Sequence, residues 1–227
     1  LLVADRDLAA AELVASEVGG LAIECDVGRE ADLQALVKRA LDAHGRVDLF
    51  CSNAGIGTGM GIEAPDADWE RLWNVNTMSH VWATRALLPA MTGPDGTYLV
   101  ITASAAGLLT MIGDAAYSVT KHAAVGLAEW LAITYRERGL RVSCLCPMFV
   151  NTDLLRGAEA NENGPVISRL GPTIEPEAVA DAVVAGIDEE RFLILPHPEV
   201  AAFVARKAAD PDRWLAGMRK LQADARR

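Results

Sequence analysis

Tyr98-Leu99-Val100-Ile101-Thr102-Ala103-Ser104-Ala105-Ala106-Gly107 is the stretch from which the fold can be read. Tyr98–Thr102 is short, apolar and β-prone, and predicts a strand; the small residues that follow predict a turn at its carboxyl end. Tyr117 and Lys121 then stand four residues apart in a segment that Asp114 opens and Gly139 closes, which reads as one long helix. Leu140–Cys146 is a second strand, stopped by Pro147. Strand, helix and strand in this order form the unit of a parallel sheet.

The same alternation extends both ways. Upstream, Leu1–Ala4 reads as a strand, and Leu8–Val18 as a helix ended by Gly19-Gly20. Leu21–Cys25 is the next strand. Glu30–His44 has helical spacing, with Leu33, Leu36, Val37, Ala40 and Leu41 on one face and Gly45 as its stop. Val47–Cys51 is a strand running into Asn53-Ala54-Gly55 and a loop with further glycines at 57, 59 and 61. Asp66 or Asp68 caps a long helix that runs to about Met91. Downstream, 151–172 is irregular. Pro176 opens a helix to about Asp188, Phe192–Leu195 is a last strand, and 198–227 forms two helices split at Asp210-Pro211. The expectation is an α/β fold: a doubly wound parallel sheet with helices on both faces, one domain over 1–227, with 151–172 as a lid and 198–227 as a helical tail. Ligands of such sheets bind beyond the carboxyl ends of the strands.

Composition narrows the partners. Half the chain is hydrophobic (51%), and a net charge of -10 disfavours nucleic acid and anionic membranes. No apolar run approaches the ~20 residues of a membrane span, and no signal peptide is visible. Cys25, Cys51, Cys144 and Cys146 are dispersed in apolar runs. Cys144 and Cys146 would share a strand face, which suits neither an unstrained disulfide nor a metal hook. Buried, reduced thiols and a cytoplasmic protein are expected. His44, His80, His122 and His197 show no metal-ligand spacing, so none is assigned a role and no metal is expected.

The residues that carry chemistry follow the strands. Tyr117 and Lys121 are one helical turn apart, so an ammonium beside a phenol would lower its pKa from about 10 and let it exchange a proton with an alcohol; alone, the spacing also fits a surface pair. Ser104 could hold a substrate oxygen beside that phenol, or satisfy local backbone groups. Asn53-Ala54-Gly55 lets backbone approach a flat ligand, or makes a simple turn. Asn76 either lies exposed on its helix or aims into the site. Asp5 could accept hydrogen bonds from ribose hydroxyls and Asp26 from an adenine amino group; either could equally cap the helix that follows it.

Taken together and in this order, Asp5, Asp26-Val27, Asn53-Ala54-Gly55, Asn76, Ser104, Tyr117-x-x-x-Lys121 and Pro147-Met148-Phe149-Val150-Asn151-Thr152 resemble the short-chain dehydrogenase/reductase family from Leu1 to about Leu195. The resemblance implies a hydride transferred between a nicotinamide cofactor and a secondary alcohol or ketone. It makes Tyr117 the general acid and base, has Ser104 hold the substrate oxygen, and has Lys121 bind the nicotinamide ribose and lower the Tyr117 pKa. Asn76 would hold a water of the proton relay, and Val150 and Thr152, beside Pro147, would bind the carboxamide. Two departures stand out. The family's first strand and glycine-rich turn do not appear in this sequence, and the expectation by the usual unit length is about thirty residues upstream of Leu1. Met148 replaces a glycine, where bulk would narrow the pocket or shift the turn.

Asp5 favours NAD over NADP through carboxylate–phosphate repulsion, although Arg6 could grip a 2′-phosphate. Leu154, Leu155, Val166, Ile167 and Leu170 in the expected lid suit a mainly apolar small-molecule substrate. The resemblance implies a homodimer or homotetramer built on the two long helices, and the Ala115, Ala116, Ala123 and Ala124 face is compatible with close packing. Trp69, Trp73 and Trp82 share helical spacing with Asn76 and read as core or interface. Two competing readings are a non-catalytic dinucleotide-binding regulator or scaffold of the same fold, and an epimerase, against which the short substrate region speaks.

Overall fold

The computed structural model of the 227-residue chain describes residues 1–90, 96–160 and 171–225. The first half alternates strand β1 (Leu2–Asp5), helix α1 (Leu8–Val18), β2 (Leu21–Glu24), α2 (Glu30–His44) and β3 (Leu49–Ser52). Helix α3 (Asp66–Trp73) passes through a π-helical turn, Asn74–Met78, into α4 (Ser79–Leu87). After β4 (Tyr98–Thr102) come the short α5 (Ala106–Leu109), the long α6 (Ala115–Tyr135) and β5 (Arg141–Leu145). The rest is β6 (Phe149–Val150), α7 (Asp153–Glu159), β7 (Thr173–Ile174), α8 (Pro176–Asp188), β8 (Leu193–Ile194), α9 (Glu199–Ala209) and α10 (Pro211–Ala225).

Every strand pair is parallel, and helices cover the sheet, as the alternation predicts for a doubly wound α/β fold. The main sheet has the order β3-β4-β5-β8; β1 and β2 form a separate ladder, and β6 and β7 a third. Leu49 and Cys51 of β3 remain exposed and line the same cleft as Ala4 and Asp5 of β1. Among the described residues β1 and β3 are not paired with each other. Cys51 also departs from the expectation of four buried thiols, since among the described residues its strand pairs only with β4.

The core lies between α6 and the main sheet. Leu99, Ile101, Leu131, Leu140, Cys144 and Cys146 are almost wholly buried there, each large aliphatic contributing ~2 kcal/mol on leaving water. A second cluster joins α2 and α4 to the β1–β2 pair through Leu33, Leu36, Ala83, Ile23 and Phe50. Ala116 and Ala124 face the chain's own core, so half of the alanine face expected at an interface is used internally. Trp130 and Ile133 of the same helix are exposed instead.

Several local expectations change. Neither Asp66 nor Asp68 is a cap: both lie inside α3, whose N-cap position is Pro65. The long helix is not continuous α-helix, because the π turn inserts extra backbone at Asn74–Met78; residue 91 lies outside the described residues. The stretch expected to be irregular carries α7, and the β6–β7 ladder flanks it. Val166, Ile167 and Leu170 of the expected lid lie outside the described residues.

Candidate active site

A cleft of about 1820 Å³ opens at the carboxyl ends of the strands. Asp5, Asp26, Val27, Asn53, Ala54, Gly55, Ser104, Tyr117, Lys121, Pro147, Val150 and Thr152 all line it. Asn76 does not, and its side chain is fully buried.

Strand β4 and helix α6 set the centre. Ser104 leaves the end of β4 where Ala103 N donates to Leu145 O and Ala105 N to Pro147 O, so the strand end is sewn to the end of β5. The Ser104 hydroxyl accepts from Ala106 N at 3.0 Å, the first turn of α5. Helix α6 starts at the N-cap Asp114, which accepts from Tyr117 N at 3.0 Å. Tyr117 therefore sits in the first turn, at the cleft wall. One turn on, Lys121 is 2% exposed, and its Nζ donates to Thr102 O at 2.9 Å. That nitrogen lies 5.6 Å from the centroid of the Tyr117 ring. Helix α5 presses on the α6 backbone there: a Cβ on Gly107 would lie 2.4 Å from Lys121 O. Only a residue without a side chain allows that approach.

The loop after β3 is held from two sides. Asn76 accepts from Ile56 N at 2.9 Å and donates to Ile56 O at 2.8 Å and to Thr120 Oγ1 at 3.1 Å. Both ends of its amide are occupied, so the side chain is not exposed on its helix and clamps the loop to α6. Asp114 supplies the second grip, accepting from Thr58 N at 2.7 Å and Gly59 N at 2.6 Å. Sequence reading saw Asp114 only as a cap. Its loop contacts are more than fifty residues away in the chain and have no local signal. Asn53 accepts from Thr102 Oγ1 at 3.0 Å, tying the loop to β4.

Electrostatics at the centre differ from the expected tuning. Burial raises the Tyr117 phenol above its usual value; the nearby Ser104 hydroxyl pulls it back, and Asp114 and Cys146 push it further up. Burial outweighs whatever the ammonium of Lys121 contributes across 5.6 Å. Burial also brings Lys121 itself from 10.5 down to about 8. A neutral phenol beside a hydroxyl is a ready proton donor, and a lysine so placed is still mostly charged at pH 7.

Strand-end carboxylates mark the far end of the cleft. Asp5 accepts from Asp7 N at 2.9 Å, while Asp7 rather than Asp5 caps α1 through Ala9 N and Ala10 N. Asp26 accepts from Gly28 N at 2.9 Å, and α2 has no side-chain cap. Neither aspartate is a helix cap, and both remain on the cleft, with Arg6 beside them.

At the other end, Leu109, Met111, Leu155, Phe203, Trp214 and Met218 line the cleft. The tail thus covers the pocket, a choice the sequence left open. Lys207 Nζ of α9 fastens it to Leu108 O at 2.6 Å. Met148 packs against the cluster of Ala105, Leu109 and Val200, as Phe203 and Trp214 of the tail do, and a Cβ on Gly171 would meet Met148 Cε. Its bulk joins the tail to the loop after β5. Sequence reading also passed over His80, fully buried with Nδ1 2.6 Å from Ser52 Oγ. Burial, then the charge of Lys121, brings it down to about 3, against a backbone carbonyl of Asn76, so it is neutral at physiological pH.

A family model described as short chain dehydrogenase matches residues 1–163. The chain is 31% identical over 199 residues to estradiol 17-beta-dehydrogenase 11 of Homo sapiens, covering 86% of this chain and 64% of that protein. It thus spans less than two thirds of that relative's length. Among solved structures, a short chain dehydrogenase/reductase from Burkholderia phymatum in complex with NAD aligns with a TM-score of 0.82 at 32% identity, over 93% of this chain and 85% of that one. A 7α-hydroxysteroid dehydrogenase complexed with NADH and 7-oxo glycochenodeoxycholic acid aligns with a TM-score of 0.76 at 25% identity, over 86% and 84%. No helix among the described residues is long and apolar enough to cross a membrane.

Proposed function

Because the chain belongs to the short-chain dehydrogenase family, we propose that it interconverts a secondary alcohol and a ketone, with Tyr117 as general acid in reduction and general base in oxidation. The observation that carries this reading is the convergence of Ser104, Tyr117 and Lys121 on one cleft at the strand ends, with Lys121 anchored to Thr102 O.

The cleft suits a nicotinamide dinucleotide. A Cβ on Gly55 would meet Lys121 Nζ at 3.1 Å and Asn76 Oδ1 at 3.5 Å, so glycine keeps open the space beside the lysine. Lys121 and Asn53-Ala54-Gly55 would hold the nicotinamide ribose, Pro147, Val150 and Thr152 the carboxamide, and Asp5, Asp26 and Val27 the adenosine. The bound cofactor supplies or accepts the hydride. Ser104 Oγ holds the substrate oxygen by a hydrogen bond, and Tyr117 Oη gives it a proton in reduction. In oxidation the phenolate takes that proton back, and because burial raises the phenol's pKa, the phenolate is populated only as pH rises. Asn76 and Asp114 act through position, fixing the loop against α6.

Asp5 supports NAD over NADP, since its carboxylate would oppose a 2′-phosphate at short range; Arg6 on the same rim is the counterweight. The apolar end formed by Leu109, Met111, Phe203 and Trp214 suits a mainly apolar substrate, and the steroid-named relatives point the same way. Exposed Trp130 and Ile133 on α6 suit a homodimer or homotetramer. Cytoplasmic residence fits the four unpaired cysteines. The test is Tyr117→Phe with NADH and NADPH titrations alongside. Turnover should vanish while NADH binding persists, with NADH bound more tightly than NADPH. Retained turnover refutes the role of Tyr117; a wild type that binds nucleotide but oxidises or reduces nothing favours the regulator.

A further inference from the structure

The loop after β5 is held by a side chain for which the sequence offered no role. His197 is 1% exposed and lies in Pro196-His197-Pro198, between β8 and α9. Its Nδ1 lies 3.1 Å from Met148 N, and its Nε2 3.1 Å from Phe149 O. A backbone N–H can only donate, so Nδ1 accepts. The proton is therefore on Nε2, which donates to the Phe149 carbonyl. One neutral ring thus satisfies a donor and an acceptor of neighbouring residues in the loop.

Elsewhere the loop is held at its ends, by Ala105 N on Pro147 O and by Asn151 N on Ile174 O. Strand β6 is two residues long, and its partner β7 is equally short. Pro147 and Val150 flank the two residues that His197 binds, and both face the cleft. Prolines on either side of His197 restrict its own backbone. Immediately after it, Val200 is fully buried and packs with Ala105, Leu109 and Phe203, so the ring is mounted on the tail.

We propose that His197 is a positioning residue that sets the nicotinamide-side wall of the cleft, holding Pro147 to Val150 in register through the Met148 N–H and the Phe149 carbonyl. The inference rests on the dehydrogenase reading of the cleft and adds to it a device through which the tail fixes cofactor geometry. It acts on one end of a dinucleotide only. The Asp5 and Asp26 end belongs to β1 and β2, which His197 does not touch.

The test compares His197→Leu, His197→Asn and His197→Gln in the full-length protein. Binding of NADH is measured by its fluorescence, binding of ADP-ribose (which lacks the nicotinamide) by calorimetry, and folding by thermal melts. His197→Leu should weaken NADH about ten-fold or more, the scale of losing an acceptor for one buried N–H, with ADP-ribose changed less than about two-fold. Asn keeps an acceptor near the Nδ1 position and Gln a donor near Nε2, so each should recover part of the NADH affinity. These two keep the test decisive if the Leu variant does not fold. Equal losses of NADH and ADP-ribose would mean a merely structural histidine and overturn the inference, as would unchanged NADH affinity in all three variants. A wild type that binds neither probe overturns the dinucleotide reading itself, and this inference with it.

Discussion

Replacing Lys121 with methionine should make the protein more stable while abolishing turnover. Burial takes the lysine from 10.5 down to about 8. At about 1.4 kcal/mol per pH unit, holding the ammonium inside costs roughly 3 kcal/mol at pH 7. Lys121 is 2% exposed, so solvent screening relieves little of this. Methionine fills a similar volume without charge. It also leaves Thr102 O without its bond from Nζ, a loss of about 1 kcal/mol. The net expectation is a gain of roughly 2 kcal/mol at pH 7. The pH dependence follows from a folded-state value below the unfolded one. The cost of the ammonium is fully present below about pH 8 and disappears between about 8 and 10.5, as the lysine of the unfolded chain also loses its proton. The advantage of the methionine variant should therefore shrink to near zero or below by pH 10. Urea unfolding of both proteins at pH 7 and pH 10 measures it, and groups common to both cancel in the difference. A variant less stable than wild type at pH 7, or a difference that does not change with pH, refutes the reasoning.

Two more substitutions probe the scaffold around the same centre. Gly107→Ala places a methyl group 2.4 Å from Lys121 O, so it should cost roughly 2 kcal/mol in urea unfolding and lower turnover by displacing the lysine; full stability would show that α5 gives way freely. Asp114→Ala removes the acceptor of Tyr117 N, Thr58 N and Gly59 N together, and roughly 3 kcal/mol should be lost. Amide exchange at Thr58 and Gly59 should rise with it, and unchanged protection there would contradict the grip described above.

Much of the fold was legible because its stops are local. Gly19 and Gly45 adopt left-handed conformations, φ +66° and +75°, that end α1 and α2 where the sequence places their stops. Pro176 starts α8, and Asp210-Pro211 divides the tail, for equally local reasons. Most cleft residues were legible because they end or follow a strand, and a parallel sheet gathers its strand ends; Tyr117 and Lys121 were legible from their spacing on one helix. What escaped was long-range. The grip of Asp114 on Thr58 and Gly59, the ring of His197 on Met148 and Phe149, and the pairing of His80 with Ser52 each join distant parts of the chain. Nothing in the neighbouring residues announces them. The tuning of Tyr117 was misjudged for a related reason: the four-residue spacing set Lys121 near the ring, but desolvation by the surrounding core governs both groups.

The π turn at Asn74–Met78 has a consequence for how this helix tolerates change. One surplus residue there offsets everything beyond it by about 100° relative to an unbroken α-helix. Asn76, within the turn, faces Ile56 and Thr120, whereas His80, just beyond it, faces Ser52. Trimming a single residue from the turn would restore regular pitch and rotate α4 as a body, carrying the His80 ring away from β3 and the Ala83 and Leu87 contacts out of the core. Length at this point is therefore constrained more tightly than identity, and the segment should accept substitutions far more readily than it accepts gaps.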